Sequence, residues 1–186
     1  LAAHDQVADS PTNNFAVINP LVRSNNAFSE GNLKVVPTTS TPAKFVSTLG
    51  VSSGKWFMES TMTDNGPHFA PWIVATNYLG LSDTTYTDSS VTYYINGQKR
   101  FNGSYSNYGA TFTQNDVIGV AIDVDNNQVT YYKNGASQGA ISFTFASGVD
   151  YYFAASDGSS YGGASSAWNF GQRPFSHLPT GYKALN

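Results

Sequence analysis

A chain of 186 residues suits one domain, and at this size roughly 70% of the surface of the unfolded chain can be buried. Its 9 basic and 12 acidic residues give a formal net charge of -3, with 11% charged residues in all, which leaves no basic stripe to neutralise phosphates and argues against nucleic acid as a partner. There is no cysteine, so neither a disulfide nor a thiolate metal site is available, and the longest clean apolar run, Val117 to Ile122, falls far short of the roughly 20 residues that a membrane span requires.

The chain begins with Leu1, which reads as a fragment of a larger protein whose targeting signals lie elsewhere. In the first forty residues Pro11, Pro20 and Pro37 interrupt short apolar groups such as Phe15 to Ile18. No segment there can enclose a core of its own. Residues 1–49 are therefore expected to form an extended N-terminal arm and edge strands packed on a sandwich core of residues 50–186, one domain overall.

Aromatic residues make up 15% of the chain beside 17 glycines, a mixture that favours strands and tight turns. Lys55 to Met62 reads as a strand with large side chains. Asn96 and Gly97 close a hairpin between Tyr93 to Ile95 and Gln98 to Phe101. The clearest element is Val117 to Val124, where Ile118, Val120, Ile122 and Val124 alternate with smaller or polar residues at the period of a half-buried strand. A two-residue turn at Asn126 and Asn127 would pair Val124 with Val129 and Ile122 with Tyr131. A further turn at Asn134 and Gly135 leads to Ile141, Phe143 and Phe145, giving a three-stranded meander. Tyr151 to Ala155 and Ala167 to Phe170 complete the set. Tyr-Tyr-x-Asn-Gly occurs at Tyr93 to Gly97 and again at Tyr131 to Gly135, which reads as two similar hairpins and not as a solenoid. The predicted fold is all-β, a two-layer antiparallel sandwich with Ile118, Val120, Ile122, Val124, Trp56 and Phe170 as core candidates.

Four stretches together resemble the SPRY domain family: Ser53-Gly54-Lys55-Trp56-Phe57-Met58-Glu59, Leu79-Gly80-Leu81-Ser82, the run from Asn115 to Asp125 with Tyr131-Tyr132-Lys133-Asn134-Gly135, and Trp168-Asn169-Phe170-Gly171. The resemblance implies a concanavalin A-like sandwich that recognises a partner through loops at one end or face. The segments around Asp9 to Leu21 and Asn169 to Asn186 resemble SPRY-containing proteins of tailed bacteriophages. That narrower likeness implies a virion or tail protein at the surface of an extracellular particle, whose partners are a host-surface glycan or protein and other virion proteins.

Three segments read as long loops: Asp64 to Tyr78 with His68, Phe69, Trp72 and Tyr78, Asn102 to Tyr108 with Tyr105 and Tyr108, and Asp157 to Ser166 with Tyr161. Tyr and Trp among Ser, Gly and Asn is the composition of adaptable binding loops, in which rigid aromatics supply contact area. These seven aromatic and histidine residues are the expected ligand-binding set, although loop aromatics also fold back onto cores. Two other chemistries are weaker. A glycosidase needs two placed carboxylates, and the chain has only Glu30 and Glu59 as glutamates. The Asp123-x-Asp125-Asn126-Asn127 run resembles a calcium loop, yet a hairpin turn explains it through Asx hydrogen bonds. No enzyme activity, cofactor or metal is expected, and the alternative to recognition is a structural spacer or decoration domain.

Overall fold

The structure is a computed structural model and describes residues 14–22, 26–37, 44–66, 69–75, 90–156 and 164–186. Among these residues thirteen strands form two antiparallel sheets. One sheet has the order β1 (Asn26–Ser29), β2 (Lys34–Pro37), β13 (Ser166–Asn169), β4 (Lys55–Met62), β9 (Val117–Asp123), β10 (Gln128–Lys133), β11 (Ala136–Ser142). The other runs β3 (Lys44–Val51), β12 (Tyr151–Ser156), β5 (Ala70–Ala75), β6 (Ser90–Tyr93), β7 (Gln98–Phe101), β8 (Ser104–Asn107). No helix among the described residues is long and apolar enough to cross a membrane.

The core lies between the sheets, where Ile118, Val120, Ile122 and Phe170 are fully buried and Val124 lies at the rim. Trp56, expected inside, sits half-buried at the same rim, its ring covered by the Lys183 ammonium at 4.1 Å. The aromatic centre is Trp168, which stacks on Phe170 at 5.9 Å and meets Phe45 edge-on at 5.5 Å. Strand β2 lies between β1 and β13, and the extended segment around Ile18 bridges to Ser47 on β3, with the Thr48 amide donating to the Val17 carbonyl at 2.7 Å. The N-terminal region thus supplies strands to both sheets.

The β9–β10 hairpin pairs Val129 with Ile122 and Tyr131 with Val120, two residues away from the expected register. The connection is the four residues from Val124 to Asn127, because Asp123 closes it: its carboxylate accepts the Asn126 backbone amide at 3.1 Å and the Asn126 side-chain amide at 2.8 Å. A slip of two leaves every side chain on its original face, so the expected core survives the wrong pairing. Burial pulls the Asp123 carboxyl upward, but these hydrogen bonds and Lys55, at 2.9 Å, outweigh it and hold it below its ordinary value.

The outer face of the seven-stranded sheet is covered by the C-terminal segment. Phe175 packs edge-on against Phe57 at 5.2 Å, and the Phe57 amide donates to the Lys183 carbonyl at 2.9 Å. Gly119 is required beneath this cover, because a Cβ there would lie 2.6 Å from the Phe57 ring.

Two stability outcomes follow from this packing. Ile122→Ala is expected to cost about 2 to 5 kcal/mol in denaturant unfolding, as for other fully buried aliphatics cut to Ala; a loss below about 1 kcal/mol would mean that this face is not the core. Asp123→Ala is expected to cost about 1 to 3 kcal/mol at neutral pH, the range for charged hydrogen bonds and the buried groups they leave behind. A carboxyl whose pKa is depressed by folding stabilises above its unfolded pKa, and that contribution is lost as pH falls through the lower folded value. The gap between variant and wild type should therefore be full above the ordinary aspartate value of 3.8 and close below it, as read by unfolding at stepped acid pH.

Candidate recognition surface

One end of the sandwich gathers the turns after β6, β8 and β10 with the segment that follows β4. The two Tyr-Tyr-x-Asn-Gly copies meet there across the sheets. The first tyrosine of each points inward, and the rings of Tyr93 and Tyr131 lie 5.4 Å apart. Their turns differ: Asn134 and Gly135 both take positive φ, 49° and 81°, as a two-residue primed turn requires, whereas in the other copy Gly97 does so at 83° and Asn96 does not.

Hydrogen bonds fix the exposed polar residues of this end. The Asn134 side-chain amide donates to Asp116 at 2.7 Å and its side-chain oxygen accepts the Val117 amide at 2.8 Å. Lys133 bonds the Thr111 carbonyl at 2.8 Å and pairs with Asp116 at 3.2 Å. Burial raises the Asp116 carboxyl, but the bonds from Asn134, Thr113 and Lys133 prevail and lower it. The Ala110 amide donates to Gln138 at 2.8 Å. Residues 108–116 are therefore preordered, and little loop entropy remains to be lost when a partner docks.

The expected binding residues separate sharply. Phe69 is 1% exposed, its ring 6.4 Å from that of Trp168. Trp72 is 2% exposed and belongs to β5, opposite Thr92 and Ala154. The segment read as one long loop from Asp64 to Tyr78 thus contains a central strand, and both aromatics are withdrawn from the surface into the buried apolar cluster, Phe69 just ahead of the strand and Trp72 within it. His68, Tyr78 and Tyr161 lie outside the described residues.

The segment from Asn102 to Tyr108 is not a loop either. Asn102 and Gly103, with φ of 49° and 72°, form a tight turn, and Phe101 pairs with Ser104 and Lys99 with Ser106 in a β7–β8 hairpin. Tyr105 is displayed on it, 57% exposed. Around Tyr105 stand the Tyr94 ring at 5.5 Å and the Arg100 guanidinium at 5.4 Å. Tyr94 and Arg100 were not singled out in the sequence, although the Asn-Gly signal at Asn102 places Arg100 directly opposite Tyr105.

Tyr108 has a different task. The β10–β11 register shifts between Thr130 and Tyr132, a bulge that leaves the Tyr131 amide without its ladder partner. That amide donates to the Tyr108 hydroxyl at 3.2 Å, and the hydroxyl donates onward to the Gly139 carbonyl at 2.5 Å. Burial, chiefly, pushes the phenol up to about 12. Tyr108 thus plugs a bulge in the facing sheet and anchors the hairpin that displays Tyr105.

The carboxylates are engaged in structure. Glu59 accepts the Ser176 and His177 amides at 3.0 and 2.7 Å, and Glu30 pairs with Arg173 at 3.3 Å. Asp125 accepts the Gly54 amide at 2.9 Å. Among the described residues no group of three His, Cys, Asp or Glu side chains is placed to hold a metal ion. At the opposite end of the sandwich an open groove of ≈ 520 Å³ runs beside Leu49, Ser52 and Trp56, but its aromatic ring is already capped by Lys183.

Comparison with known proteins matches the SPRY domain model over residues 54–173. The chain is 31% identical over 139 residues to a probable ATP-dependent RNA helicase, ddx1, of Dictyostelium discoideum, covering 75% of this chain and 17% of that protein. It is 29% identical over 140 residues to the E3 ubiquitin-protein ligase RKP of Arabidopsis thaliana, covering 71% of this chain and 10% of that protein. The chain therefore spans a small part of the length of these curated relatives. Among solved structures, the SPRY domain of human HERC1 aligns over 84% of this chain and 99% of its own at a TM-score of 0.70 and 15% identity. A human SPRY domain aligns over 78% of this chain and 95% of its own at a TM-score of 0.63 and 16% identity.

Tyr108→Phe removes the acceptor of the Tyr131 amide while keeping the ring. It is expected to cost about 1 to 3 kcal/mol in denaturant unfolding, the penalty for a buried donor left unpaired. An unchanged stability would mean that the amide finds another partner and that the hydroxyl does not hold the bulge.

Proposed function

The chain belongs to the SPRY domain family, a family of protein-interaction modules, and from that premise we propose that it is a non-catalytic recognition domain that grips a protein partner with the β7–β8 hairpin and the preordered loops beside it. The observation that carries this reading is the exposed Tyr105 with Tyr94 and Arg100 packed around it. An aromatic flanked by a guanidinium, held on a rigid hairpin, has the makeup of an interface anchor. The glycosidase alternative loses its footing because the Glu59 carboxylate is committed to two backbone amides.

The setting we propose is the surface of a phage particle, with a host-surface component as the ligand. Its support is the likeness of the two chain ends to tail proteins; the relatives named above are eukaryotic and lend it none. Between glycan and protein, the family favours protein.

Purified domain, displayed multivalently to raise avidity, is tested on arrays of host envelope proteins and surface polysaccharides. Saturable binding to protein is expected, with no cleavage of it. Tyr105→Ala should weaken that binding about tenfold or more, the loss typical of a central anchor, while changing stability by no more than about 0.5 kcal/mol, as exposed positions do. Silence of the wild-type domain on both arrays overturns the reading in favour of a spacer domain, and binding to polysaccharide alone overturns the choice of protein.

A further inference from the structure

The hairpin that displays Tyr105 also ends a sheet. Strand β8 pairs with β7 on one side, and each of its four residues is exposed. Which of its backbone groups are spoken for follows from the register. Phe101 pairs with Ser104 across a two-residue turn, Lys99 with Ser106, and the Tyr108 amide donates to the Gly97 carbonyl at 3.0 Å. In an antiparallel hairpin these alternate positions exchange the hydrogen bonds, and the residues between them direct their N–H and C=O groups away from the partner strand. Those residues are Tyr105 and Asn107.

Of the other three edge strands among the described residues, β3 and β11 are protected, whereas β1 is a four-residue strand paired only with β2. Strand β3 is covered by the segment around Ile18. Strand β11 is bulged against β10, and its Gly139 carbonyl is taken by Tyr108. Strand β8, Ser-Tyr-Ser-Asn, has neither proline, charge nor bulge, and no cover among the described residues, the usual defences of an edge against pairing with another chain. Its stretch of the chain is also one-sided in charge: from Ser90 to Asn115 the sequence holds Lys99 and Arg100 and no acidic residue. Lys99 makes no ion pair among the described residues, and its ammonium lies over the Tyr108 ring at 5.0 Å.

We propose that β8 is a strand-addition site for an extended acidic peptide, which pairs antiparallel with Tyr105 to Asn107 and sets an apolar side chain beside Tyr105 and an acidic one opposite Ser106. This rests on the recognition reading above and specifies the partner's chemistry. Alternation does the sorting: a residue opposite Tyr105 shares its face, where an aromatic neighbour favours apolar side chains. A residue opposite Ser106 points to the other face, about 10 Å from the Lys99 backbone at two strand spacings, a gap that a lysine and a glutamate side chain close between them. Backbone bonds give the affinity and the two side-chain positions give the selectivity.

The test uses the whole chain and a short synthetic peptide in which valine and glutamate alternate, with a valine–lysine alternating peptide as the control. The glutamate peptide is expected to bind and the lysine peptide not to. On binding, the Tyr105 and Asn107 amides should gain protection from hydrogen exchange. Asn107→Pro removes an edge-directed N–H that the hairpin does not use, so its thermal midpoint should stay at the wild-type value while peptide binding falls about tenfold, the scale of one lost hydrogen bond in a desolvated edge. Lys99→Glu should reverse the preference between the two peptides. Equal binding of both peptides, or binding without protection of the two amides, overturns the proposal. So does concentration-dependent dimerisation that Asn107→Pro abolishes, since the occupant would then be a second copy. If a protein found on the arrays binds Asn107→Pro as well as wild type but loses Tyr105→Ala, strand addition fails while side-chain recognition stands.

Discussion

Phenolic hydroxyls buried between two apolar sheets must each find a hydrogen-bond partner, because leaving one unpaired costs several times what making the bond contributes. In this sandwich the rule falls on Tyr93, Tyr108 and Tyr131, whose rings lie 5.4 to 6.0 Å from one another. Tyr131 on β10 reaches across the core to the Val91 carbonyl of β6 at 2.7 Å. Tyr93 on β6 donates to the Ala110 carbonyl in the loop after β8. Tyr108 returns to β11 and the bulged Tyr131 amide. Each bond joins elements far apart in sequence, so the sheets cannot slide past one another without orphaning a hydroxyl. The loop after β8 owes part of its order to the same set.

A second constraint decides which faces remain open. Strand β4 puts Phe57 and Glu59 on the side away from the core, an arrangement that a bare outer face would not stabilise. The C-terminal segment resolves it, with Phe175 on the Phe57 ring and two amides on the Glu59 carboxylate. The carboxylate weighed for acid chemistry is thereby the fastening of a strap. With that face closed, an exposed aromatic is left on the arm built from β7 and β8.

Much of this was readable in the sequence, because the inward and outward faces of a strand depend only on parity. The run from Ile118 to Val124 declared its buried face, and even the misplaced Asn126-Asn127 turn preserved it by slipping an even number of residues. The limits appear where one segment carries two signals. Between Asp64 and Tyr78, Pro67 and Pro71, both ahead of Trp72, suggested a loop. Yet Pro71 sits near the start of β5, where a missing N–H is tolerated, and Ile73 fills the core. From Asn102 to Tyr108 the small polar residues again suggested a loop, although Asn102-Gly103 is the same turn signal that was accepted at Asn134-Gly135. Composition describes exposure and not conformation: β8 is exposed like a loop and extended like a strand. Tyr105 was legible as an exposed aromatic for that reason, while Tyr94 and Arg100, neighbours only through pairing, were not.

The two roles of tyrosine on this hairpin explain how a displayed aromatic can be rigid. Tyr105 and Tyr108 are three residues apart, so on an extended chain they face opposite sides. One side chain is held by the bulge of the facing sheet, and the other is presented to solvent above Arg100. Anchoring and display are thereby separated by parity alone, and neither compromises the other. A ligand that meets Tyr105 meets a side chain whose backbone is tied, through Tyr108, into the phenol set that sets the spacing of the sheets. The ordering cost of the contact is therefore already met in folding, which is the condition under which a small exposed patch can bind selectively.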